Sequence, residues 1–133
     1  MKLYGGFEMG DVIYTNCSDI SGVCYHLGIV YDDGEKKLVF HNAPNNINKF
    51  GGTVVSEDLE KFLKERYVIK VAKTNVTNND ILNVTKRVRH EIWDTFYFNC
   101  EDYIVEIVEG ERNSDLRDAY KIAALGLIFL LIY

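Results

Sequence analysis

Two apolar stretches rich in β-branched and aromatic residues, residues 24–31 (CYHLGIVY) and 37–41 (KLVFH), flank the turn signal Asp32-Asp33-Gly34. Strand-forming runs on either side of such a turn predict a β-hairpin. An isolated hairpin is at best marginally stable, so the rest of the chain must cover this one. Residues 11–15 (DVIYT) and 67–72 read as further strands, and residues 53–55 as a short one. Residues 57–63 read as a short helix, with Ser56 as N-cap and Leu59, Phe62 and Leu63 on one face. A second helix starts at 78–80, and its apolar positions Ile81, Leu82, Val84, Val88 and Ile92 recur at helical spacing. An aromatic link at 94–98 leads to a third helix over 100–109. There Tyr103, Ile104, Ile107 and Val108 form the stripe expected to be buried. Glu101, Asp102, Glu106 and Glu109 are expected to face solvent, and Gly110 to cap the C-terminus. The predicted class is α+β, an antiparallel sheet with helices packed on one side. Residues 1–113 form the domain, and Ser114 opens a final helix, 114–133.

That last helix ends in residues 122–133 (IAALGLIFLLIY), twelve residues without a charge. A spanning helix needs about 20 apolar residues, so the expectation is a membrane-associating tail, with dimerisation through it as a second use. The whole chain, 133 residues with a formal net charge of −5, has the length of one domain. Its acidity argues against a nucleic-acid partner, which requires a basic surface. Three cysteines and no apolar leader after Met1 fit reduced thiols and a cytoplasmic, membrane-associated protein.

Three residues carry potential chemistry. His26 interrupts an otherwise apolar strand, and His41 ends its hairpin partner fifteen residues later. Folding at Asp32–Gly34 brings the two close to opposite each other, and strand alternation makes a shared face plausible. Cys100 follows Asn99 at the predicted start of a helix, where unsatisfied N–H groups and the helix dipole favour thiolate. A thiolate attacks, an imidazole moves the proton, and a second polar residue holds that imidazole in the right tautomer. The rival reading makes Cys17, Cys24, His26 and His41 zinc ligands. Their spacings match no common finger or ribbon, so no metal and no cofactor is expected.

Four segments together resemble the lecithin:retinol acyltransferase-like branch of the NlpC/P60 superfamily, permuted papain-like thiol enzymes in which histidine precedes cysteine. Residues 10–13 (GDVI) are similar to its opening strand, and residues 25–31 (YHLGIVY) to its H-box. Residues 39–44 (VFHNAP) are similar to the strand carrying its second histidine, and residues 99–103 (NCEDY) to its NC signature. The resemblance covers roughly residues 10–110. Leu27 stands where the family has tryptophan, and Asp102-Tyr103 where it has His-Phe. The resemblance implies a permuted NlpC/P60 fold with Cys100 as nucleophile, His26 as base and His41 as orienting residue. It implies an oxyanion hole that uses the Cys100 N–H, with Asn99 and Tyr25 in support. It also implies transfer or hydrolysis of an acyl group from a lipid ester through a thioester. Amidase or peptidase chemistry is the alternative within the superfamily. The H-box/NC pair also occurs in nonstructural proteins of some picornaviruses that end in an apolar segment and act through host partners, some without established catalysis.

Overall fold

A computed structural model describes residues 6–16, 25–42, 53–64, 66–91 and 99–110. Five antiparallel strands form one sheet: β1 (Val12–Asn16), β2 (Tyr25–Asp32), β3 (Lys37–Asn42), β4 (Val54–Asp58) and β5 (Val68–Ala72), in the order β4-β3-β2-β1-β5. Three helices accompany it, α1 (Leu59–Lys64), α2 (Asn78–Val88) and α3 (Cys100–Glu109). The predicted hairpin is β2–β3, with Ile29 opposite Phe40 and Asp32 opposite Lys37. Its turn closes as Asp32 and Asp33 carboxylates accept the N–H groups of Gly34, Glu35 and Lys36.

Side-chain alternation divides the core in two. Val12, Leu27, Ile29 and Phe40 point to one face and pack with Ile81, Val84 and Val88 of α2 and with Cys100, Tyr103, Ile104 and Ile107 of α3. Their neighbours Ile13, Val30 and Val39 point to the other face and pack with Phe7 and with Leu59 and Phe62 of α1. Helices therefore cover both faces, not one as the sequence led us to expect. The difference arises at residues 53–58. Pairing with β3 extends β4 through Asp58, so Ser56 lies in a strand instead of capping a helix, and α1 starts only at Leu59.

Two glycines are required by space. Gly10 has φ +86°, and a Cβ on it would stand 2.6 Å from the Val76 carbonyl. The neighbouring Asp11 is buried and accepts from the Glu8 N–H and the Lys73 ammonium. The Gly-Asp motif thus pins the start of β1. On β2, a Cβ at Gly28 would stand 2.4 Å from Val39 Cγ1 and 3.1 Å from the ring of Phe62. That missing side chain lets α1 press its phenyl ring onto the sheet.

Helix α2 begins at a capping box, in which Thr77 accepts from the Asp80 N–H and Asp80 answers to the Thr77 N–H. It ends at Val88, and Ile92 lies outside the described residues. Helix α3 has the same box between Asn99 and Asp102, and Gly110 ends it in the left-handed region, as expected. Its acidic residues depart from the periodic reading: Glu101, Asp102 and Glu106 are buried, whereas Val108 is exposed. Asp102 is drawn in by its bond to the Asn99 N–H, and Glu106 by Arg87. Among the described residues, no helix is long and apolar enough to cross a membrane. The expected final helix and tail, 114–133, the aromatic link at 94–98, and Cys17 and Cys24 lie outside the described residues.

Candidate active site

The β2–β3 register, carried one step beyond Ile29 and Phe40, sets Gly28 opposite His41 and makes His26 its diagonal neighbour. The two histidines share the α1 face. His26 Nε2 lies 2.8 Å from His41 Nδ1, with the ring planes nearly perpendicular. Phe62 occupies the space above Gly28 and touches both rings, with centroids 6.2 Å from His26 and 5.1 Å from His41. Thr15, opposite His26 on β1, donates its hydroxyl to the His26 carbonyl. The sequence expectation of adjacency is met in detail by one short, buried hydrogen bond.

Cys100 is reached from the other side of the sheet. It is the first residue of α3, and its side chain packs with Leu27 in the larger core cluster. Its sulfur accepts from the backbone N–H of Leu27, the residue directly after His26. The thiol therefore abuts the His26–Leu27 peptide. Among the described residues, no hydrogen bond joins the sulfur to either imidazole. Asn99 fixes this placement: its side-chain oxygen accepts the Glu101 and Asp102 N–H groups at 2.9 Å, and its carbonyl accepts from the Asn42 amide. That oxygen is committed to the helix cap, so any oxyanion donor from Asn99 must come from another atom. Asp102, where the resembled family has histidine, closes the cap. Tyr103 in turn is held by Thr85, 2.6 Å from its hydroxyl. Tyr25 opens β2 opposite Asn16.

Electrostatics correct one expectation. Burial pushes the Cys100 thiol up to about 12, and the Glu101 charge adds to the rise. The N–H groups of Leu27, Glu101 and Cys100 pull the other way without prevailing. At neutral pH the sulfur is a thiol, not the thiolate that the helix terminus alone favours. The imidazoles are neutral as well. Burial, then the Arg66 charge, pushes His41 down to about 3. Burial, His41 and Arg66 hold His26 well below its ordinary value. The resting trio is uncharged, with a proton on sulfur and lone pairs on the imidazoles.

The sequence reading missed Glu57 and Arg66. The sequence predicts Glu57 in a helix, but in β4 it lies opposite Val39, while His41 faces Val55. Glu57 is thus a diagonal neighbour of His41 on the histidine face, with Oε1 3.1 Å from His41 Nε2. Arg66 Nη1 reaches the same oxygen at 3.2 Å and also donates to the Phe62 carbonyl, while its guanidinium lies 4.4 Å above the Phe62 ring. No sequence signal marks either residue, because the contact depends on β3–β4 register and on a long-range return of the chain. A scan against protein-family models matches none, and a search of curated proteins finds no similar sequence.

Proposed function

We propose that this chain is a thiol-dependent acyltransferase or acyl hydrolase of the H-box/NC type, working on a lipid ester at a membrane. The observation that carries the reading is the sulfur of Cys100 seated at the peptide after His26, while the far side of the His26 ring is bonded to His41. The acyl carbonyl is attacked by sulfur as the S–H bond breaks, and the proton passes to His26. The ester C–O bond then breaks, and the leaving alcohol takes that proton. Water or an acceptor hydroxyl next attacks the thioester, giving up a proton through His26 and returning the thiol. Because burial keeps the sulfur protonated, proton transfer accompanies attack instead of preceding it. Backbone N–H groups at the start of α3 are the natural donors for the oxyanion.

A mostly apolar cleft of about 130 Å³ runs between α3 and the β1–β5 edge, lined by Val12, Tyr14, Leu27, Ala72, Ile104 and Val108, with Thr74 and Glu109 as its polar members. It is smaller than the roughly 300 Å³ at which drug-sized sites begin, and it suits a short length of acyl chain. Leu27 lines this cleft and its backbone N–H meets the sulfur, and this adjacency supports a lipid ester over a peptide. Residues 122–133 supply the tether to the bilayer in this reading. Incubation with mixed phospholipid vesicles followed by intact-mass measurement tests it. The expected result is a gain of one acyl chain that disappears in Cys100→Ala. A gain retained in that variant, or no gain under any lipid, would overturn the reading. The latter result would favour a non-catalytic H-box/NC module acting through host partners.

A further inference from the structure

Two buried imidazoles bonded to each other leave open which way their protons run, and only one direction leaves a lone pair on His26. In one arrangement His41 carries its proton on Nδ1 and donates to His26 Nε2, so the remaining proton of His26 sits on Nδ1 and no lone pair is free. In the other, His26 donates from Nε2 to His41 Nδ1, His41 carries its own proton on Nε2, and the Nδ1 of His26 is a bare acceptor. The 2.8 Å contact fits either equally well.

Glu57 breaks the tie. Its Oε1 is 3.1 Å from His41 Nε2, and that nitrogen has no aligned hydrogen-bond partner. An unprotonated Nε2 would leave two acceptors 3.1 Å apart with no proton between them, at a cost in this half-buried setting. A proton there lies close to the anion, though off its axis, and is attracted to it. Arg66 holds the carboxylate in place by bonding the same oxygen while anchored to the Phe62 carbonyl and ring. Its positive charge also discourages a second proton on the pair, so the imidazoles stay neutral and directional.

We propose that Glu57, clamped by Arg66, is a positioning residue that sets the tautomers of His41 and His26 so that His26 Nδ1 is the base. This deepens the acyl-transfer reading and rests on it for its catalytic consequence. The proton order alone does not depend on it. Glutamine at 57 preserves shape but can present an N–H₂ to His41 Nε2, which reverses the relay. Aspartate keeps the charge on a shorter arm.

The test combines nitrogen-15 NMR of the imidazoles with hydrolysis of a water-soluble acyl ester, using the full chain and its Glu57→Gln and Glu57→Asp variants. Expected are Nε2-protonated His26 and His41 in the unmodified protein, and a shift to Nδ1 protonation in Glu57→Gln with turnover down at least about tenfold. The unfolding midpoint of that variant should stay near that of the unmodified protein, and Glu57→Asp should recover part of both readouts. Nδ1-protonated His26 in the unmodified protein, or tautomers unmoved by Glu57→Gln, would overturn the assignment. Absence of turnover in the unmodified protein would count against the acyl-transfer reading alone, while the tautomers would still decide for or against Glu57.

Discussion

The two faces of the sheet are built from the same five strands yet do different work. The face under α2 and α3 is mostly apolar, and its polar groups serve helix caps or pairs such as Arg87–Glu106 and Thr85–Tyr103. It holds Cys100 still and dry, and the cost is a sulfur that keeps its proton. The face under α1 carries a polar row, Arg66–Glu57–His41–His26, half-buried at the first two and buried at the histidines, which a single phenyl ring roofs. In the proposed reading, one face positions the nucleophile by packing, and the other orders protons by hydrogen bonds. The sulfur meets the histidine-bearing strand at the peptide between His26 and Leu27, where alternation sends one side chain each way. Neighbouring residues on one strand can therefore serve two layers of a single site.

The largest expected effect separates the layers by truncating each in turn. Phe62→Ala removes a ring with no exposed surface, and a loss of about 3–5 kcal/mol is expected for such a change. It should also unlock the histidine pair, which loses its roof. Ile104→Ala on the opposite face should cost about 2–5 kcal/mol and leave the imidazole contact intact. Urea unfolding gives the energies, and imidazole NMR reports the pair. If both variants disturb the histidines equally, the division of labour between the faces is wrong.

A smaller effect concerns pH. Both histidines have folded pKa values below their unfolded ones, so the unfolded chain binds protons more tightly. The stabilisation is complete above the unfolded value of about 6.5 and is lost as pH falls from there toward about 3 for His41. Each histidine should contribute a slope of up to about 1.4 kcal/mol per pH unit in that window. Urea midpoints at pH 7 and pH 5 should differ clearly in the unmodified protein and less in His41→Gln. An equal difference in both would place the acid sensitivity elsewhere.

Much of this was legible in the sequence, but unevenly. The hairpin declared itself through β-branched runs around Asp32–Gly34, and the His26–His41 contact followed from it. The third helix was readable because Asn99 and Gly110 are strong caps. What escaped was tertiary. Residues 53–58 are too short for periodicity to separate strand from helix, and pairing with β3 decided the matter, carrying Glu57 to His41. The carboxylates of α3 looked like a solvent face until the capping box and Arg87 drew Asp102 and Glu106 inward. The thiolate expectation counted the helix terminus but not burial, and burial is the stronger influence.

Proton transfer from Cys100 to His26 is the claim on which the account turns, and labelling kinetics test it most directly. An acyl probe should label Cys100 in the unmodified protein at pH 7, and His26→Ala should slow that labelling by about 10²–10⁴-fold while the fold persists. Equal labelling rates in the two proteins would contradict the account.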